Sequence, residues 1–327
     1  PPLDPELAVL VDDELVAHGV RVETGATVAS VDHDAVTLAD GRTLPAELVV
    51  GAIGVRPDVR LAEAAGLELG PNGGIAVTDT NQTSDPDIYA VGDATEKPDA
   101  VSQATSLIAL ANVANRQGRR VADHIAGREP RAVASTSTAI VKVFDLVAAT
   151  VGWSERRLQD AGRAHRAIHS HPFDHATYYP GATRMCAKLL FDPTDGTILG
   201  AQIVGRHGVD KRIDVIATAM AGGLTADRLA DLELAYAPPF SSAKDPVNML
   251  GYMAENVLSG DCDIVAATEV GELVDDGWTL LDVRTEDEHA RGAIDGSANI
   301  PVDSLRDHLD ELRGRRVVVY CEVGQRG

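Results

Sequence analysis

Apolar residues at Leu7, Leu10, Val11 and Leu15 recur at helical spacing and predict a helix over Glu6 to His18, stopped by Gly19. Val20-Arg-Val22 then reads as a strand, and helix, glycine, strand is one piece of an α/β unit. Short strands follow at 28–31, 35–38 and 42–44, with Asp40-Gly41 as a hairpin turn. Two unbroken apolar runs have the character of buried strands: Leu48 to Ile53, ending at Gly54, and Ile88 to Val91, closed by Gly92-Asp93-Ala94. A helix is expected from about Ser106 to Ile125, ending at Gly127.

The pattern changes from about Thr138. Strands are expected at 140–144, 146–151, 187–191 and 198–204, with Asp195-Gly196 turning between the last two, and helices at about 209–221 and 225–232. That is an antiparallel α+β domain. Ser259-Gly-Asp261 reads as a linker. Beyond it a small α/β unit comprises 269–275, a strand at 279–283, a loop to Asn299-Ile-Pro301, a helix near 302–313 and a final apolar strand, Val317 to Tyr320. The fold class is therefore α/β and α+β, multidomain.

With 29 Lys and Arg against 50 Asp and Glu, the net charge of −21 repels nucleic acid and anionic membrane, so neither is expected as a partner. No run of eighteen apolar residues and no signal-peptide pattern is present, and three scattered cysteines make no disulfide framework. A cytoplasmic setting is the simplest expectation. The chain opens on Pro1-Pro-Leu-Asp-Pro5 and stops at Gly327, where a helix should back the last loop; both ends are read as those of a fragment.

Candidate chemistry gathers at strand ends. Cys321 follows the last strand, and the loop from it to Arg326 contains Gly324. Backbone N–H groups of such a loop converge on one point and favour a thiolate or persulfide there. Asp93, delivered just after Gly92, can accept hydrogen bonds from a polyol, or can simply terminate a strand in a turn. Three of the six tyrosines, Tyr178, Tyr179 and Tyr236, lie in loops, where a phenol can steady a thiolate or merely cap a core. His165, His169, His171 and His175, with Asp174, have a spacing that could hold a metal, but the irregular run favours a solvated loop with hydrogen-bonded imidazoles, and no metal is expected. Cys186 sits mid-strand and reads as core; Cys262 reads as incidental.

Thr83-Ser-Asp-Pro-Asp-Ile-Tyr-Ala-Val-Gly-Asp-Ala94 resembles the second flavin-binding motif of the pyridine nucleotide-disulfide oxidoreductases, and Leu48-Val-Val-Gly-Ala-Ile-Gly-Val-Arg-Pro57 resembles the exit of their nicotinamide-binding domain. Ala109-Leu-Ala-Asn-Val-Ala-Asn-Arg-Gln-Gly-Arg119, Tyr178-Tyr-Pro-Gly181, Asp210-Lys-Arg-Ile-Asp-Val215 and Leu234 to Asn248 are similar to the coenzyme A disulfide reductases and their persulfide-reducing relatives. Leu280 to His289, Gly292 to Pro301 and Val317 to Arg326 together resemble a rhodanese domain.

The resemblance implies parts of Rossmann-like NAD(P)-binding and FAD-binding domains at 1–74 and 75–129, a dimerisation domain at 130–258, a linker at 259–266 and a truncated rhodanese-like domain at 267–327. It implies FAD and NAD(P)H as cofactors, with Gly92, Asp93, Ala94, Ala109, Ala111, Asn112 and Gly54 at their sites. Coenzyme A is the implied substrate moiety and a homodimer the implied assembly. Tyr178, with Tyr179 as fallback, and Tyr236 are implied as the pair that meets the partner's redox cysteine and the substrate. Cys321 would carry sulfane sulfur with Arg326 in its loop, and Asp282 and Arg284 would be structural.

The implied activity is NAD(P)H-dependent reduction of coenzyme A disulfide, coenzyme A persulfide or polysulfide. No G-x-G-x-x-G follows a strand, so the 327-residue polypeptide alone is expected not to turn over. Two rival readings stand beside it: a sulfurtransferase on a flavoprotein scaffold, and a non-catalytic dimerisation module.

Overall fold

The computed structural model describes residues 2–131, 133–324 and 326, which divide into two compact units: Ala8–Ser137, and Pro1–Leu7 with Thr138–Gly327. Helix α1 (Pro5–Ala17) begins in the latter and runs into the former. In the 8–137 unit, β1 (Val28–Val31), β2 (Ala35–Leu38) and β3 (Thr43–Pro45) form an antiparallel sheet in chain order. Then come α2 (Arg60–Ala64), the hairpin of β4 (Glu96–Pro98) and β5 (Thr105–Leu107), and α3 (Ala111–Ile125).

Two expected strands are absent here. Leu48 to Ile53 forms no strand and is exposed, Ile53 completely. Ile88 to Val91 contributes only an isolated bridge between Gln82 and Tyr89. An apolar run becomes a central strand only when neighbours on both sides take its N–H and C=O groups, and the described residues supply no such neighbours. Val20 to Val22 is likewise not a strand, and the helix expected from Ser106 begins at Ala111 because Thr105–Leu107 pairs as β5.

The other unit has a sheet of β6 (Ala139–Val143), β7 (Leu146–Gly152), β8 (Arg166–Ser170), β9 (Met185–Phe191) and β10 (Ile198–Gly205), antiparallel in the order β6-β7-β10-β9-β8. Helix α4 (Glu155–Asp160) follows β7, capped by Ser154, whose side chain accepts from the Arg157 N–H. Helices α5 (Val209–Gly222) and α6 (Pro246–Ser259) pack with the sheet around Ile168, Leu189, Phe191, Ile213, Ile216 and Leu250. A 3-10 turn at Asp227–Asp231 lies where a full helix was expected. Asn248 of α6 binds that turn, donating through Nδ2 to the carbonyls of Leu229 at 3.0 Å and Leu232 at 2.9 Å.

Gly251 of α6 shows how close this contact is. A Cβ there would lie 2.1 Å from the Ala230 nitrogen. Alanine is intrinsically better in a helix than glycine by about 1 kcal/mol, but overpacking a fixed backbone costs about 1–3 kcal/mol. Gly251→Ala is therefore expected to destabilise by up to about 2 kcal/mol net, read as a lower denaturant midpoint by tryptophan fluorescence. A raised midpoint would show that the turn yields.

The chain then continues through α7 (Val270–Asp275), β11 (Thr279–Asp282), α8 (Glu286–Ala290), β12 (Ala298–Asn299), a 3-10 turn at Leu305–His308, α9 (Leu309–Leu312) and β13 (Val317–Tyr320). β11 pairs in parallel with both β12 and β13, giving a small α/β unit. Among the described residues no helix is long and apolar enough to cross a membrane.

Candidate functional site

β13 ends at Tyr320 because its neighbour β11 ends opposite it at Asp282. Cys321 is thus the first residue beyond the sheet, half-buried, and its Sγ accepts backbone N–H groups from Gly324 at 3.2 Å and Arg326 at 3.3 Å. Two donors aimed at one sulfur place partial positive charge where a thiolate or persulfide would carry its negative charge. The Arg326 guanidinium does not join them. It is bidentate to Glu288, with both contacts at 2.7 Å. That pairing holds the Glu288 carboxyl far below the usual carboxylate range and raises the Arg326 guanidinium. Arg326 thereby ties the Cys321 loop to α8, and Glu288, unremarked in the sequence reading, is its anchor.

Beneath the loop, Asp282 is completely buried and accepts from Arg284, His289 and the Tyr320 hydroxyl. Burial raises its carboxyl, but Arg284, His289 and Tyr320 outweigh that and hold it far below the ordinary range. Both Asp282 and Arg284 knit the strand ends together, as the sequence reading expected of them.

In the same unit, Tyr178 and Tyr236 stand on separate loops with their hydroxyls 3.0 Å apart. Both rings are exposed, and Tyr178 titrates above its ordinary value chiefly because of this hydrogen bond. Tyr179, also exposed, packs edge-on against His175 rather than joining the pair. The four histidines do not converge. His165 contacts Glu155, His169 contacts Glu6, and His175 contacts Asp174 at 2.8 Å, while burial lowers His171. The run is not all loop either: Arg166–Ser170 is the edge strand β8. Burial pushes the Cys186 thiol up to about 11, and Cys262 is exposed.

The 8–137 unit carries the residues expected at cofactors. Gly92 has φ +84°, a conformation that favours glycine, while a Cβ there would meet Ala114 at an ordinary 3.8 Å. Glycine is thus required by the turn rather than by crowding. The turn is held by groups absent from the sequence reading. The Gly92 N–H donates to Gln117 of α3 at 2.8 Å, and buried Lys97 donates to the Gly92 carbonyl at 2.6 Å. Burial pushes the Lys97 ammonium down, partly offset by the Asp93 charge. Asp93 itself is exposed beyond the turn, Ala94 half-buried. Ala109, Ala111 and Asn112 are exposed around the start of α3, whose N-cap Leu110 supplies no side-chain acceptor. The Val113 and Ala114 N–H groups donate to the Leu110 carbonyl; the Ala111 and Asn112 N–H groups at the positive end of α3, with the Asp93 carboxylate, could hold a flavin's anionic edge and polyol chain. Gly54 lies in an exposed turn at φ +90°.

The pyridine nucleotide-disulphide oxidoreductase family matches residues 1–118, its dimerisation domain 138–246, and the rhodanese-like domain 266–327. The chain belongs to the pyridine nucleotide-disulphide oxidoreductases. It is 32% identical over 254 residues to a coenzyme A disulfide reductase of Staphylococcus aureus, covering 77% of this chain and 58% of that protein. Its structure matches reduced Bacillus anthracis "CoADR-RHD" with a TM-score of 0.96 and 44% identity, over 100% of this chain and 59% of the other. A NAD-dependent persulfide reductase from A. fulgidus matches with a TM-score of 0.89 and 39% identity, over 99% of this chain and 60% of that one. The chain of this pyridine nucleotide-disulphide oxidoreductase thus spans about three fifths of the length of these relatives.

Proposed function

We propose that the chain serves an FAD-dependent, NAD(P)H-consuming reduction of coenzyme A disulfide, coenzyme A persulfide or polysulfide, with Cys321 handling sulfane sulfur. The observation that carries this reading is the pair of backbone N–H donors on Cys321 Sγ. They stabilise negative charge on sulfur, the form that attacks a sulfane sulfur and the form in which the product persulfide persists. Support also comes from the relatives, named for coenzyme A disulfide and persulfide reduction.

FAD, when bound, supplies the relay of electrons from NAD(P)H to sulfur. Asp93 would hold its polyol, the first turn of α3 its anionic edge, and the Gly54 turn would lie by the nicotinamide. Tyr178 and Tyr236 would donate to the sulfur of a coenzyme A thiolate, a role suited to two exposed phenols already joined at 3.0 Å. The dimerisation-domain match supports a homodimer as the working assembly; the substrate in this reading is a small-molecule disulfide or persulfide and the setting is cytoplasmic.

Titrating coenzyme A thiol into protein carrying isotope-labelled tyrosine tests the reading. The Tyr178 and Tyr236 signals are expected to move saturably, and desulfo-coenzyme A to move them less. Signals that stay fixed, or that respond equally to both compounds, would contradict it.

A further inference from the structure

Exposed aromatic rings on loops hold a hydroxyl-to-hydroxyl contact only when both backbones are fixed. The fixing point lies beneath the pair. Arg212 of α5 is 1% exposed, and each of its three side-chain nitrogens is hydrogen-bonded, two of them to the structure around the two loops. Its Nη2 donates to the carbonyl of Asp174 at 2.7 Å, four residues before Tyr178. The same nitrogen reaches the Phe240 carbonyl at 3.4 Å, Ser241 Oγ at 3.3 Å and Asp245 Oδ2 at 3.1 Å, just after Tyr236. Nε donates to Asp245 Oδ1 at 3.3 Å and Nη1 to the Gly208 carbonyl at 3.2 Å.

Each end of this bridge is itself secured. Ser241 Oγ donates to Asp245 Oδ2 at 2.6 Å, and Asp245 caps α6 by accepting the Val247 N–H. On the other loop, the Asp174 carboxylate accepts the Thr183 N–H at 2.6 Å and holds His175. One further bond joins the loops directly, from the Ala176 N–H to the Ser241 carbonyl at 3.1 Å. A buried guanidinium–carboxylate pair is weak evidence for stability, because desolvation offsets much of the attraction. It does fix geometry. The planar five-donor fork addresses both loops at once, which a lysine ammonium of three donors at one point cannot do.

We infer that Arg212, seated on Asp245, is a positioning residue: it ties the loop bearing Tyr178 to the loop bearing Tyr236 and so sets their hydroxyl contact. Its consequence for catalysis rests on the reading of the tyrosine pair given above; the positioning itself does not.

The test is a cycle read by nuclear magnetic resonance on tyrosine-labelled protein without substrate. In the native background, Tyr236→Phe removes the partner of the Tyr178 hydroxyl, moving its signal and lowering its titration midpoint. In Arg212→Lys, which keeps the charge and loses the fork, Tyr236→Phe is expected to leave the Tyr178 signal and midpoint unchanged, with the circular dichroism of the fold retained. An undiminished response to Tyr236→Phe in Arg212→Lys overturns the inference. Should Arg212→Lys fail to fold, Ser241→Ala removes the hydroxyl shared by Arg212 and Asp245 while leaving their ion pair. The response is then expected to fall by at least half, and an undiminished one again overturns the inference. Tyrosines indifferent to coenzyme A would remove the substrate reading and leave this coupling intact. A coupling unchanged in Arg212→Lys removes the positioning role and leaves the substrate reading intact.

Discussion

Replacing Lys188 by methionine is expected to destabilise the sheet-bearing unit by about 3–5 kcal/mol at neutral pH, the usual loss when one member of a buried ionic cluster is removed. Lys188 lies in the middle of β9 with its side chain completely buried. Its Nζ contacts Asp4 at 2.9 Å, Glu155 at 2.5 Å, and Glu6. Asp4 is also buried and is anchored by Gln202 Nε2 at 2.6 Å and by the Glu155 N–H at 3.0 Å. Three carboxylates around one ammonium join the start of α1 and the residue before it to the sheet and to the start of α4. Methionine fills a similar volume, so the loss isolates the charge and not a cavity.

The pH dependence has a definite sign. Burial raises the Asp4 and Glu6 carboxyls, but hydrogen bonds from Lys188 and from backbone N–H groups outweigh it, and both end below their ordinary values of 3.8 and 4.5. Their contribution is present above those values and is lost as pH falls through the lowered ones. Burial lowers Lys188, but Glu155, Glu6 and Asp4 outweigh that and raise it above 10.5. Its contribution is complete below 10.5 and is lost as pH rises through the raised value. The gap between wild type and Lys188→Met should therefore be widest between about pH 5 and pH 10 and narrow on either side. Denaturant unfolding followed by Trp153 and Trp278, both in this unit, measures it. A gap under about 1 kcal/mol at neutral pH would mean that the cluster is solvated like a surface pair.

Cys321→Ser is expected to abolish sulfur transfer from thiosulfate to cyanide. In the expected reaction the Cys321 thiolate would attack the sulfane sulfur of thiosulfate; the new S–S bond would form on Cys321 and sulfite would leave with the bonding electron pair. Cyanide would then take the outer sulfur as thiocyanate, and the S–S electron pair would return to the thiolate. A serine hydroxyl is not ionised at neutral pH and forms no persulfide. Arg326→Met should retain the reaction at about a hundredfold lower rate, the scale of loss when a site is displaced by about 1 Å. Arg326 acts through Glu288, so Glu288→Gln should change the rate in the same direction. Thiocyanate formation against thiosulfate concentration measures all three. Full activity in Arg326→Met would show that the loop holds its shape without the α8 anchor.

Four of the five strands of the β6-β7-β10-β9-β8 sheet were legible because they carry apolar runs between clear turns, Asp195-Gly196 above all. Other parts were hidden for identifiable reasons. Leu48 to Ile53 has the composition of a buried strand, but composition cannot supply hydrogen-bonding neighbours, and the run lies exposed. β8 was masked by His169 and the histidines that flank it, although Ile168 and Ser170 alternate inward along it. The signal for α6 was present in Asp245-Pro-Val-Asn248: an N-cap, a proline at the first turn and a capping box. Of the candidate site, Cys321 just past β13 and the tyrosine loops lie where their motifs place them, whereas the strand expected before Asp93 is reduced to an isolated bridge. The anchors were not legible. Lys188, Arg212 and Glu288 find partners far away in the chain, and a charged residue destined for burial signals only that some partner exists; Lys97 bonds nearby carbonyls, Gly92 and Thr95, through a turn that its sequence does not announce.

Mass spectrometry of protein exposed to thiosulfate, in its intact form and after digestion, tests sulfur handling most directly. The account predicts a gain of one sulfur atom, located on Cys321, removed by cyanide and absent from Cys321→Ser. No gain, or a gain borne by Cys186 or Cys262, would contradict it.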